Sequence, residues 1–380
     1  MIPRGALGIR VSAGLALALA APAPTLAQDD GLPVAPAVEP ADGAPAYDPP
    51  ADLTRVPAMP GYKPKKTPWG EPDLRGVWPI DSLGGLALQR SPEQGNRVHL
   101  TRAEYAEVEA RMQASREAYE REDREDRIGM GHWFEMTGAG TRTSLLIDPP
   151  DGRLPALTEE GVRRAALMRS SWVPGQTYDW VDDFDNWDRC VTRGFPASML
   201  PFRYNNGVRI FQSPGHVVIA LEMIHDARVV PTDGSAHAPG QVGMWFGDSR
   251  GRWEGNTLVV ETTNLKPGAS ALNMATIGAP PNNTLPMSEE ARVVEKFALA
   301  DRNTLVYEMT YSDPPIWRAP FTVRMDIPRR NDYEFYEYAC HEGNVQVRNY
   351  ISASRALRAH EAAAANAARN NVAPPAGGGR

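Results

Sequence analysis

Residues 208–230 read VRIFQSPGHVVIALEMIHDARVV, and this stretch decides the fold class. Apolar and polar residues alternate over 208–212, a Ser-Pro-Gly turn follows, and the alternation resumes over 216–230. A period of two is the mark of a strand, because successive side chains point to opposite faces. The pattern recurs outward from there. Segments 245–252 and 257–264 flank Glu-Gly-Asn, 292–300 and 304–311 flank Asp-Arg-Asn, and 321–327 and 333–341 follow. Consecutive hairpins with short turns predict an antiparallel meander. Strands in that order close most naturally into a lipocalin-like barrel. The expected fold is therefore mainly β, with a short α-helical segment near the N-terminus.

Upstream the period changes. Thr101 and Glu104 fit a capping box, and the run to about Arg127 lacks Gly and Pro, which predicts a helix with a solvated, charged second half. Residues 143–157 read as a strand, a Pro-Pro-Asp-Gly turn and an exit strand, and 159–168 as a second short helix. This helical insertion, 101–170, interrupts a single β domain at 67–355. Residues 178–188 set two Trp, a Tyr and a Phe among five Asp, which suits a loop lining a cavity or an acidic surface loop anchored by its aromatics. Residues 356–380 form an Ala-rich tail ending in PPAGGGR.

The 380 residues carry a formal net charge of −7, 35 Pro, 33 Gly and nine Trp, with 42% hydrophobic residues. That composition excludes a collagen-like, multi-span or wholly disordered chain, and the acidic balance argues against a nucleic-acid partner. Residues 1–27 read as a signal peptide: Arg4 and Arg10 precede a short apolar run, and Thr25-Leu26-Ala27 offers small residues for cleavage. The expectation is a periplasmic or secreted protein without a membrane span after cleavage. Residues 28–66 hold nine prolines and no apolar period, as an acidic, extended linker would. The two cysteines, Cys190 and Cys340, lie outside any C-x-x-C motif, so one disulfide is expected. No Walker or Rossmann glycine loop is present, so no cofactor is expected.

Five segments carry a resemblance: PDLRGVW (72–78), IDPPDGRLPALTEEG (147–161), EMIHDARVVPTDG (222–234), GDSRGRWEGNTLVVETTN (247–264) and YEYACHEGN (336–344). They are similar to segments of a widespread family of exported bacterial proteins of uncharacterised function. The resemblance spans about 66–355, implies an exported single-domain protein and transfers no residue role.

Candidate chemistry comes from strand parity. On an amphipathic strand, an ionisable residue on the apolar face needs a reason to be there. Along 216–230 the odd positions are apolar except His225. In 292–299 Glu295 sits among Val293, Phe297 and Leu299, and in 333–341 Glu337 and His341 share a face with Tyr333 and Phe335. Carboxylates and an imidazole in an apolar cavity suit general acid–base catalysis. His225 is the leading base, with Glu295, Glu337, Asp226 and His341 as partners and Trp245, Trp253, Tyr307 and Tyr338 as walls. A one-residue change of register would replace His225 by the opposite face, Glu222, Asp226 and Arg228. Glu222-x-x-His225-Asp226 would ligate a metal only on a helix, so no metal is expected. Asp248-Ser249-Arg250 lacks a G-x-S-x-G elbow and reads as a polar turn.

Three functions fit. The first is an exported enzyme acting on a small apolar or aromatic molecule as a lyase, hydratase, isomerase or hydrolase. The second is a non-catalytic small-molecule carrier with the same cavity. The third is an envelope interaction protein, favoured if the interior is filled with side chains. The oligomeric state is left open.

Overall fold

The computed structural model describes residues 47–370 apart from 84–85, 126–134, 136–139, 172, 174 and 268–284. The signal peptide and most of the linker read above lie outside the described residues. Among the described residues ten strands pair into two antiparallel sheets. The smaller has the order β1 (Gly76–Val77), β3 (Val208–Ser213), β4 (His216–Leu221), β5 (Ala227–Pro231). The larger runs β2 (Leu146–Asp148), β10 (Phe321–Pro328), β9 (Thr304–Ser312), β8 (Arg292–Asp301), β7 (Thr257–Thr263), β6 (Asp248–Glu254). Three α-helices among the described residues accompany them: α1 (Arg102–Arg124), α2 (Glu159–Ala165) and α3 (Gln346–Asn370). The architecture is mainly β. Among the described residues no ladder closes the two sheets into the expected barrel.

Local rules account for most elements. Thr101 and Glu104 do form the box that starts α1: the Glu104 carboxylate accepts from the Thr101 N–H at 2.8 Å, and the Glu104 N–H donates to Thr101 Oγ1 at 3.2 Å. Thr158 caps α2 through the Gly161 N–H. The hairpins β6–β7 and β8–β9 reverse at the turns read from sequence. Part of the segment read as linker docks on the domain. The Leu53 carbonyl accepts from Val98 N–H at 2.7 Å, and the Tyr47 hydroxyl donates to the Leu100 carbonyl at 2.9 Å.

Two strands expected from the alternation are corrected. Residues 216–230 are not one strand. Glu222 adopts a helical conformation, Ile224 (φ 58°) and His225 (φ 43°) are left-handed, and the chain reverses, so that β4 pairs with β5. The reversal inverts the parity. Val217, Ile219 and Leu221 point inward from β4, and Arg228 and Val230 point inward from β5. Residues 333–341 form no ladder; they run as an irregular strap across one end of the smaller sheet.

The main core is a continuous cluster fed by both sheets. Val217, Ile219, Val230, Val293, Glu295, Tyr307, Met309 and Val323 all have zero accessible surface. A side chain facing a void that admits a water molecule would retain some. The space between the sheets therefore encloses no ligand-sized cavity around these residues. A cleft of about 740 Å³ lies outside, between residues 54–59 and the outer face of β8–β10.

Candidate functional site

The β4–β5 reversal brings polar and strained groups together. Left-handed conformations at non-glycine residues occur at Cys190, Asn205, Ile224, His225 and Asn264, and all but Asn264 lie at this corner. For β-branched Ile224 that conformation is a true outlier, and such strain persists only where surrounding structure imposes it. Here the imposing groups can be named. The Leu221 N–H donates to the Asp226 carbonyl at 2.8 Å, and the His225 N–H to the Glu222 carbonyl at 2.9 Å.

Glu222 is fully buried and accepts four hydrogen bonds. They come from Asn205 Nδ2 (3.1 Å), the Tyr336 N–H (3.0 Å), the Gly207 N–H (2.9 Å) and the Tyr333 hydroxyl (2.7 Å). Gly207 is required by this approach, because a Cβ there would lie 2.6 Å from Glu222 Oε2. A second carboxylate, Glu135, accepts from the Asn205 and Asn206 N–H groups at 2.8 and 3.1 Å and reaches the Tyr333 hydroxyl at 3.3 Å. Burial pushes the Glu135 carboxyl up, against the hydrogen bonds that lower it. Burial, then the two carboxylates, raise the Tyr333 phenol, which stays protonated as the shared donor.

Beyond the reversal, Asp226 is half-buried, and burial pushes its carboxyl up to about 6, against a 3.4 Å hydrogen bond from Thr192 and the nearby His225. His225 is exposed, its Nδ1 3.1 Å from the Tyr338 carbonyl. Trp187, Phe202, Met223 and Ile224 pack as a separate apolar cluster, flanked by Tyr204 and Tyr338. Arg193 lies over the Phe202 ring, and burial brings its guanidinium down to about 9. The Cys190–Cys340 disulfide ties the strap to this corner, and Asn344 Nδ2 donates to the Asp188 carbonyl at 3.1 Å beside it.

Neither a family model, a curated protein nor a solved structure matches the chain. Residue roles therefore rest on geometry.

The sequence candidates divide into four groups. Glu222, His225, Asp226 and Tyr338 meet at the corner. Glu337 and His341 belong to the same strap but are exposed, and His341 contributes only its carbonyl, which accepts from the Asn344 N–H at 3.3 Å. Arg228, Glu295 and Tyr307 meet instead in the core. Both Arg228 Nη atoms bond Glu295, at 2.9 and 2.5 Å, and the Tyr307 hydroxyl donates to the same carboxylate at 2.9 Å. Trp245 lies under Lys266 and Trp253 against the core edge, away from both. Asp248 accepts from His237 Nδ1 at 2.9 Å and from Arg250 at 2.6 Å, the carboxylate–imidazole pair among the described residues. Sequence reasoning missed Glu135, Tyr333, Asn205 and Arg193. Asn205-Asn206-Gly207 carried a readable turn signal, whereas nothing local marks Glu135. No cluster of metal-ligating residues occurs among the described residues.

Proposed function

We propose that the chain is an exported enzyme acting on a small, largely apolar or aromatic molecule by general acid–base chemistry, and that the chemistry belongs to the strapped corner rather than to the interior. One observation carries the reading. A carboxyl that titrates near neutrality, Asp226, adjoins a backbone reversal held in strain at Ile224 and His225. A group with that pKa can both take and give a proton at working pH. Asp226 is the transferring group, His225 its exposed neighbour, and the Glu222–Tyr333–Glu135 cluster holds the strap in place. Tyr204 and Tyr338, both partly exposed, offer aromatic surface to the substrate. A lyase, hydratase, isomerase or hydrolase fits this equipment. Export is supported by the disulfide and by the resemblance of the five sequence segments. No helix among the described residues is long and apolar enough to cross a membrane. The carrier reading needs an internal cavity, and the complete burial of the inward-facing core residues favours the enzyme reading over it.

Mass spectrometry of small molecules released from protein purified from its native envelope tests the reading. The expected result is an apolar or aromatic compound that wild type converts and Asp226→Asn binds unchanged. Conversion by the variant at the wild-type rate overturns it.

A second reading, an envelope interaction protein, is favoured by α3. Residues 359–369 of that helix are all exposed, so more than two turns bury no face against the domain.

A further inference from the structure

Away from the corner, the lysines of the chain are placed differently from its arginines. Five of the 40 basic residues are lysines, and three of those five are Lys63, Lys65 and Lys66. No acid occurs from Leu53 to Gly70. Among the described residues the ion pairs are made by arginines and His237, and no lysine takes part in one. Arginine suits fixed, bidentate geometry, whereas lysine carries a hydrated point charge on a flexible stem. The three lysines thus stand outside the network of charges that holds the fold.

Their backbone is fixed while their side chains are exposed. Pro60, Pro64 and Pro68 stiffen the segment. The Lys65 carbonyl accepts from the Asp73 N–H at 2.8 Å, and the Thr67 N–H donates to the Glu71 carbonyl at 2.8 Å. Further cations gather at the same end of the domain. Arg75 follows Asp73, and Arg329 donates to the Arg75 carbonyl at 2.5 Å and to the Arg302 carbonyl at 3.0 Å. The acids beside them are already engaged. Glu71 accepts from the Trp69 indole at 2.8 Å, Asp73 pairs with Arg75 at 2.7 Å, and Asp301 accepts from the Asn303 N–H at 2.6 Å. Arg330 is matched by Asp332 at 3.3 Å. Lys63, Lys65, Lys66, Arg75, Arg302 and Arg329 against Glu71, Asp73 and Asp301 leave positive charge in excess, on a chain whose formal net charge is −7. Two aromatic side chains accompany them. Tyr62 is 37% exposed, and the partly buried Trp69 ring has the Arg75 guanidinium 5.9 Å from its centroid.

We propose that this face docks on an anionic phospholipid surface. Lipid headgroups present negative charge without fixed geometry, which unpaired lysines match and a bidentate arginine site would not. Tyr62 and Trp69 supply the amphipathic rings that sit at headgroup level in a membrane interface. A discrete anion asks for a pocket and a nucleic acid for a groove that follows its backbone, whereas these lysines stand exposed. Charges more than about 8 Å from the lipid are screened, so the acidic balance of the whole chain does not oppose contact through this face. None of these residues belongs to the strapped corner, and the proposal stands without the reading given there.

Flotation of the intact protein with vesicles tests it, using phosphatidylcholine alone and phosphatidylcholine with about 30% phosphatidylglycerol. Binding to the anionic vesicles is expected to exceed binding to the neutral ones about tenfold or more, and to fall about tenfold or more between about 50 and about 500 mM NaCl. Each lysine near such a surface is worth about fivefold, so Lys63→Gln with Lys65→Gln and Lys66→Gln should weaken binding about 100-fold. The melting temperature should hold, because the three side chains are exposed. Lys63→Arg with Lys65→Arg and Lys66→Arg keeps the charge and should stay within severalfold of wild type. Absence of binding, equal binding to both vesicles, binding undiminished in the glutamine variant, or an arginine variant as weak as the glutamine one overturns the proposal. Tighter binding of single-stranded DNA than of the anionic vesicles, through the same lysines, also overturns it and makes this a nucleic-acid face.

Discussion

Arg228 and Glu295 join the two sheets through a bidentate ion pair with both side chains almost wholly out of water. Arg228 also reaches Ser249 and Thr262, each at 3.2 Å, and its guanidinium lies 4.2 Å from the centroid of the Phe195 ring. The carboxylate is saturated by its partner and by Tyr307, so it is not poised to move a proton. Its role is structural, and that gives a test. Removing one partner strands the other charge in the core and should cost about 3–5 kcal/mol. Chemical denaturation of Glu295→Gln should show that loss, and Arg228→Met with Glu295→Leu should recover most of it. Single variants within 1 kcal/mol of wild type would contradict the assignment.

The larger sheet was legible because its information is local. Glu254-Gly255-Asn256 and Asp301-Arg302-Asn303 are turn sequences, and Val293, Glu295, Phe297 and Leu299 alternate as a one-sided strand must. The corner was not. Met223-Ile224-His225 contains no Gly, Pro, Asn or Asp, so nothing in it announces a reversal. What enforces the reversal is distant in sequence: Gly207, Asn205 and Tyr336 on the Glu222 carboxylate, and a disulfide spanning 150 residues. Hence parity carried through the turn assigned His225 to the interior, whereas it is exposed and the inward residues beyond the turn are Arg228 and Val230. The strap misled for a related reason. Tyr333 and Phe335 are more buried than their neighbours Glu334 and Tyr336, which mimics a strand, but no neighbouring strand pairs with it.

His225 can be removed without opening the core. It is exposed, and its φ of 43° suits glycine better than any side-chain residue. His225→Gly should therefore leave stability unchanged or raise it by about 1 kcal/mol, set against the lost contact to the Tyr338 carbonyl. Thermal unfolding checks this, and a loss of 2 kcal/mol or more would show that the imidazole holds the corner together.

The disulfide should govern the strap more than the sheets. Closing a loop of 150 residues is worth on the order of 5 kcal/mol in the chain-entropy model. Thiol titration of the denatured, unreduced protein should find no reactive cysteine. In Cys190→Ser with Cys340→Ser, hydrogen exchange should rise first at 333–345 while β8 and β9 keep their protection. Uniform loss of protection would mean that the bond holds the whole domain rather than the strap.

Asp226 gives the pH dependence its sign. Burial pushes its carboxyl up to about 6 in the folded chain, well above the ordinary aspartate value of the unfolded chain. Between those values the folded state holds a proton that the unfolded state has lost, so stability falls as pH rises through the window and stays lower above it. Ionised Asp226 is thus a stability penalty at neutral pH, on the order of 1 kcal/mol once solvent screening of this partly exposed group is allowed for. Asp226→Asn removes the penalty. The variant should melt higher than wild type at pH 7.5 and equal to it at pH 3.5, where both states of the wild type are largely protonated. Carbon NMR of the Asp226 carboxyl should give the midpoint near 6 directly. A midpoint near 4, with no pH-dependent gap in melting temperature, would show a carboxyl in ordinary contact with water and would remove the basis for acid–base chemistry at this corner.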